Sequence, residues 1–155
     1  MTEIEWTIYL SGEIHTDWRE QIISACEAKD LPVSFVGPVT VHEDSDDCGV
    51  VILGEEDNPF WRDQKGARMN AIRTRTLMES ADLVVVRFGE KYKQWNAAFD
   101  AGYAAALNTP YITLHDPALT HALKEVDGAA LATAQDPLQV AKIIEYVTTG
   151  RLQRH

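Results

Sequence analysis

The sequence predicts a three-layer α/β/α sandwich built on a parallel sheet of five strands in the order 2-1-3-4-5. Three observations carry this reading. Short apolar runs such as Leu83–Val86, rich in β-branched residues and bounded by turn residues, have the pattern of strands buried on both faces. They alternate with segments of helical period, and each connection is long enough for a crossover, which within one sheet is right-handed. The 155 residues, 45% hydrophobic and 25% charged, suit one domain over 1–155 with one core.

Taken in order, Trp6–Leu10 reads as the first strand, with Ser11, Gly12 and Glu13 at its carboxyl end. Thr16 or Asp17 can cap a helix to about Lys29 that gathers Trp18, Ile22, Ile23 and Cys26 on one side. Leu31–Val36 is the second strand. From Gly37 to Asp63 the periodicity fails, which predicts a long acidic excursion with a short apolar piece at Val50–Leu53. Helical spacing returns over Gly66–Ser80, with Met69, Ile72, Thr76 and Leu77 inward and Arg68, Arg73 and Arg75 outward. Leu83–Val86 is the central strand, and its loop carries Arg87, Gly89, Lys91 and Lys93. The Ala-rich run from Asn96 to Leu107 favours helix, and Gly102 within it permits close approach of a neighbouring element. Pro110–Leu114 is the fourth strand, His115–Glu125 a loop with a short helix, and Ala129–Thr133 a weak fifth strand. Asp136 and Pro137 start a last helix over Leu138–Thr148. This succession matches the flavodoxin-like arrangement.

A net charge of −10 argues against a nucleic-acid polymer or an anionic membrane as partner, because both attract basic faces. No apolar run reaches the roughly 20 residues of a membrane span. The opening MTEIEW lacks signal-peptide features, so a cytoplasmic location is expected. Two cysteines make no disulfide framework. Cys26 reads as packing, and Cys48 sits among carboxylates that disfavour its thiolate. Asp44, Asp46, Gly49 and Glu55 fit part of a calcium-loop pattern, but Cys48 fills a ligand position. His15, His42, His115, His121 and His155 have no zinc-site spacing, and no phosphate-binding glycine loop occurs. Neither a metal nor a cofactor is expected.

In an open parallel sheet the ligand crevice lies outside the carboxyl ends of the strands, where strands one and three meet. That brings Tyr9, Ser11, Gly12 and Glu13 near Arg87, Gln94, Asn96 and Asp100. Asp100 falls near the start of its helix, so the helix dipole is expected to favour its ionised form. The position equally suits an ordinary helix-start aspartate. Phe60, Trp61, Trp95 and Tyr103 offer flat faces, Gln94 and Asn96 amide hydrogen bonds, and Arg73, Arg75, Arg87, Lys91 and Lys93 a phosphate grip. Each also has a plain alternative: Trp61 and Tyr103 as core, and the cations as solvated surface.

The segments IYLSGE, ADLVVV and FDAGYA together resemble the nucleoside 2-deoxyribosyltransferase superfamily, over about two-thirds of the chain. The runs RFGEKYKQWNAAFDAGYAAAL, PFWRDQKGA and IRTR resemble the YtoQ family over the whole chain. In that superfamily a helix glutamate attacks the anomeric carbon of a deoxyribonucleoside to form a glycosyl ester, and the resemblance puts Asp100 in its place. Two further acids of the superfamily are replaced here by Gln94 and Thr74. Aspartate is also one methylene shorter, and a misplacement of about 1 Å can cost roughly 10²-fold in rate.

The resemblance implies an enzyme acting on the N-glycosidic bond of a nucleoside, nucleotide or related glycoside. Asp100 would be nucleophile or oxocarbenium stabiliser, Glu13 the proton donor and Tyr9 an orienting hydroxyl. Ser11, Gly12, Phe60, Trp61, Arg73, Arg87, Lys91, Gln94, Trp95, Asn96 and Tyr103 would surround the substrate. The alternative is a non-catalytic module that binds or senses a nucleotide-like ligand. A third reading has the acidic run Glu43–Asp47 bind a partner. The resemblance also implies a homo-oligomer, a dimer or larger, and the aromatics of PFW are reasonable interface residues.

Overall fold

The computed structural model describes residues 4–154, so His155 lies outside the described residues. Five parallel strands, β1 (Trp6–Gly12), β2 (Val33–Val36), β3 (Leu83–Arg87), β4 (Tyr111–Leu114) and β5 (Ala132–Ala134), form one sheet in the order β2-β1-β3-β4-β5. Among the described residues six α-helices accompany them, the first five between strands and the last after β5: α1 (Trp18–Ala28), α2 (His42–Leu53), α3 (Pro59–Ser80), α4 (Trp95–Ala106), α5 (Lys124–Ala129) and α6 (Pro137–Thr149). The expected strand order is the one found.

The crossovers divide the helices between the two faces of the sheet, and strand alternation divides the side chains the same way. Ile8, Leu10, Leu83 and Val85 pack against α1 and α6. Tyr9, Val84 and Val86 pack against α3, α4 and α5. The core is therefore two clusters, one per face, where a single core was expected.

The main departure is in the acidic excursion. His42–Leu53 is helix α2, with Glu43 and Asp44 in its first turn where the helix dipole favours them. The calcium-loop residues Asp44 and Asp46 thus lie on a helix rather than a loop. Within the acidic run Asp46 bonds His42 at 3.1 Å and Asp47 bonds Arg62 at 2.9 Å. Helix α3 begins at Pro59 instead of Gly66, because the Asn58 side chain accepts the Phe60 N–H at 2.9 Å and Pro59 sits at the first helical position. Gly49 and Gly66 explain how α2 and α3 come together. A Cβ on Gly49 would lie 2.5 Å from the Lys65 Cβ and 2.6 Å from the Gly66 nitrogen.

Smaller corrections follow from burial. On α3 the fully buried residue is Met78, whereas Ile72 is 70% exposed and Thr76 is also exposed. Asp17 precedes α1 but its carboxylate accepts from the Gln21 side chain instead of a backbone N–H. Cys26 is buried as expected, and burial pushes its thiol up to about 11. No helix among the described residues is long and apolar enough to cross a membrane.

Candidate active site

Strand β1 ends beside β3 with Ser11 opposite Val86 and Gly12 opposite Arg87. Alternation then sends Tyr9 and Ser11 to the α3/α4 face and Arg87 to the other. Gly12 has φ 112°, and a Cβ there would lie 2.2 Å from the Arg87 carbonyl oxygen, so only glycine lets β1 turn away at this point.

On the α3/α4 face the Ser11 hydroxyl donates to Asp100 Oδ2 at 2.7 Å. Burial raises the Asp100 pKa above the ordinary carboxylate value, with the Ser11 bond acting in the opposite sense. This reverses the expectation of a dipole-favoured ionised group. Helix α4 begins at Trp95, which puts Asp100 in its second turn, beyond the reach of the dipole's positive end.

Tyr9 is fully buried, and its hydroxyl makes no hydrogen bond of ordinary geometry. Burial pushes it up to about 12, so it keeps its proton at neutral pH. Its polar surroundings are Thr74, Asp100, Arg19 and Arg73. An unpaired buried hydroxyl beside a half-buried carboxylate is a costly arrangement for folding alone and a serviceable one for a ligand.

Glu13 does not fit the proton-donor role. Burial alone would raise its pKa, but it is lowered overall by the Thr16 hydroxyl, the backbone N–H groups of His15 and Thr16, and the Arg87 charge. The Thr16 bonds are 2.6 and 2.7 Å. A carboxylate that accepts three hydrogen bonds and is held toward its ionised form fixes the loop after β1 and is poorly suited to give a proton. Arg19, which sequence reasoning missed, completes that loop. Its guanidinium is buried and donates to the carbonyl oxygens of Leu10, Gly12 and Glu13 at 2.7–3.2 Å.

The remaining expected residues separate into two groups. At the rim, Gln94 precedes α4 and donates to the Tyr92 carbonyl at 3.1 Å, Asn96 and Trp95 are exposed, and Lys93 lies 5.5 Å over the Trp95 ring. Arg73 donates to the Gly37 carbonyl at 3.2 Å and so pins the segment after β2. Away from the crevice, the Tyr103 hydroxyl donates to Glu79 at 2.6 Å, tying α4 to the end of α3. Phe60 and Trp61 meet edge to face at 4.9 Å, and Trp61 lines a separate hollow of about 300 Å³ with Leu53, Lys65 and Met69. Arg87 donates to the Phe88 carbonyl at 3.2 Å, and its buried Nε has no partner.

Three rim residues had no sequence signal as a group. His15 after β1, His42 at the start of α2 and Tyr92 after β3 meet with tilted rings at centroid distances of 5.8 Å (His15–His42) and 5.0 Å (His15–Tyr92). They come from three separate connections, so local spacing could not reveal them. His115 is buried and bonded to Asp127 at 2.8 Å, and His121 is exposed. Among the described residues no three His, Cys, Asp or Glu side chains converge as metal ligands do.

With this geometry in hand, similarity to known proteins becomes informative. A family model described as nucleoside 2-deoxyribosyltransferase YtoQ matches residues 9–148. A protein of Bacillus subtilis (strain 168), called uncharacterized protein YtoQ, is 42% identical over 144 residues, covering 93% of this chain and 97% of its own. Among solved structures, a 2-deoxyribosyltransferase from Bacillus psychrosaccharolyticus superposes with a TM-score of 0.52 at 17% identity, covering 87% of this chain and 90% of its own. A conserved protein from Enterococcus faecalis V583 gives 0.60 at 14% identity, over 93% and 99%. A designed Rossmann 2x3 protein gives 0.52 at 11%, over 98% and 97%. Likeness to a designed fold as good as that to the transferase shows that these superpositions speak for architecture.

Proposed function

The chain belongs to the nucleoside 2-deoxyribosyltransferase YtoQ family, and from that premise we propose that it acts on the N-glycosidic bond of a nucleoside or related glycoside, with Asp100 meeting the anomeric carbon. The observation that carries this reading is the Ser11–Asp100 hydrogen bond in the crevice between the first and third strands. Ser11 occupies Oδ2 and leaves Oδ1 for attack. As the C1′–N bond breaks, its electron pair goes to the base, an Oδ1–C1′ bond forms, and the departing base takes a proton from water. Water or a second base then displaces the carboxylate, so configuration at C1′ is retained overall. The Tyr9 hydroxyl, protonated and without a partner, is suited to donate to a sugar oxygen. No protein acid is assigned to the leaving base, because the Glu13 carboxylate is an acceptor in all its hydrogen bonds.

The test is a thermal-shift screen of nucleosides, nucleotides and sugar phosphates, with chromatography of each hit. Release of free base by the native chain, and its loss in a folded Asp100→Ala variant, is the expected result. Undiminished turnover in that variant would remove the mechanism. A binding-only module is the second reading, favoured by the engagement of Glu13 and Gln94 in local backbone contacts. It predicts a raised melting temperature from ligands recovered chemically unchanged.

A further inference from the structure

In the proposed reaction the departing base draws its proton from water, since Glu13 is engaged by the loop after β1. The crevice is walled on one side by α3, whose Thr74 and Arg73 neighbour the Tyr9 hydroxyl, and on the other by α4, whose Asp100 bonds Ser11. A proton donor for the base is therefore to be sought where the connections from the carboxyl ends of the strands meet over that gap.

Three connections meet there. His15 stands four residues beyond Ser11, in the loop after β1. His42 opens α2, at the end of the segment that Arg73 of α3 pins through the Gly37 carbonyl at 3.2 Å. Tyr92 lies between β3 and α4, and its carbonyl accepts from Gln94, the residue before α4. Because the His15 ring meets both the His42 ring and the Tyr92 ring, it spans from the α2/α3 side of the crevice to the α4 side.

The backbone beneath His15 is fixed. Its N–H donates to the Glu13 carboxylate, and the Arg19 guanidinium donates to the Glu13 carbonyl at 2.7 Å. Across the gap Gly89 admits the Glu13 side chain so closely that a Cβ there would lie 2.8 Å from Glu13 Cγ. A rim held in this way needs little further ordering when a ligand arrives. The ring is a different matter: among the described residues His15 enters the hydrogen-bond network only through its backbone. His42, by contrast, has its Nε2 engaged by Asp46 at 3.1 Å. His15 is also exposed, so solvent can exchange a proton with it.

We propose that His15 is the group through which the proton of the leaving base passes, an assignment that rests on the glycosidic reading and deepens it. Imidazole is the side chain whose ordinary chemistry gives and takes a proton near neutral pH. The protonated ring gives its proton to a nitrogen of the base as the C1′–N electron pair moves onto the base and the Asp100 Oδ1–C1′ bond forms. The neutral ring then takes a proton from the attacking water, whose oxygen bonds C1′ as the Asp100 ester breaks. Asp100 leaves as carboxylate and His15 is protonated again, so the net source of the proton is still water.

Base release from two pairs of nucleosides tests this. One pair is 2′-deoxyguanosine and its N7-methyl derivative, the other 2′-deoxyuridine and its 5-fluoro derivative. The second member of each pair carries a base that leaves with less need of a proton. For whichever pair the native chain cleaves, His15→Gln should lower kcat on the first member by about 10²-fold or more and on the second by less than about tenfold. Its melting temperature should stay that of the native chain, because the side chain is exposed. Equal losses on both members, or no loss on either, would overturn this assignment and leave the glycosidic reading standing. Release of no base from any of these nucleosides by the native chain would overturn both.

Discussion

Asp100 and Tyr9 each impose a cost on folding that a ligand site would account for. Burial raises the Asp100 pKa above its ordinary 3.8, so the native state binds that proton more tightly than the unfolded chain does. Stability from this group is present below 3.8 and is lost as pH rises through the folded value, leaving a penalty at neutral pH. Asp100→Asn should therefore raise the melting temperature at pH 7, and the gain should vanish in acid; a gain independent of pH would contradict the assignment. The Tyr9 hydroxyl is buried without a partner, so Tyr9→Phe should be neutral or stabilising by up to ~1 kcal/mol in thermal denaturation. If the hydroxyl holds substrate, the same variant should raise KM or lower kcat. Of this residue-level picture, the meeting of Tyr9, Ser11 and Asp100 was legible in the sequence, because strand order alone brings them to one crevice. The direction of the Asp100 shift was not, since it depends on how far along α4 the residue sits. Nor was Arg19, whose partners are carbonyl oxygens that no sequence pattern marks.

At the scale of elements, the strands were legible because a continuous β-branched run has few alternatives between turn residues. Helix α2 was not, because its period is masked by five acidic or polar residues from Glu43 to Asp47 and by Gly49 in its interior. Only the partner helix explains that glycine: α2 rests on Gly66 of α3, close enough that a Cβ on Gly49 would sit 2.6 Å from backbone nitrogen. Gly49→Ala should therefore force the two helices apart, at about 1–3 kcal/mol for overpacking less about 1 for improved helix propensity. That corresponds to a fall of a few degrees in melting temperature. Gly128→Ala in α5 is the control, since nothing lies within 4 Å of its added Cβ, and it should be neutral or slightly stabilising. Hydrogen exchange should show the Gly49 effect concentrated in α2 and the first half of α3. A uniform loss of protection would mean that the hairpin and the sheet unfold as one unit.

At the scale of the whole molecule, charge discriminates among the ligands that the crevice admits. Carboxylates outnumber Lys and Arg by 24 to 14, and the field of such a chain disfavours a polyanion. Local cations offset this only where they are free. Arg19 is committed to three carbonyl oxygens, Arg73 donates to Gly37 and Arg87 to Phe88. Arg75, exposed on α3, lies near Tyr103 and so away from the crevice, and Lys91 and Lys93 remain, exposed and lying over the rings of Tyr92 and Trp95. Two solvated ammonium groups are a weak grip on phosphate compared with a bidentate guanidinium. A neutral nucleoside should therefore bind more tightly than its triphosphate, by about tenfold or ~1.4 kcal/mol at low salt. The gap should narrow as salt shortens the screening length from about 30 Å at 0.01 M to about 8 Å at 0.15 M. Calorimetric titration of one nucleoside and its mono- and triphosphate at both salt concentrations decides the matter. Affinity that grows with each phosphate and weakens with salt would mean that the two lysines outweigh the field of the chain, and the substrate would then be sought among nucleotides.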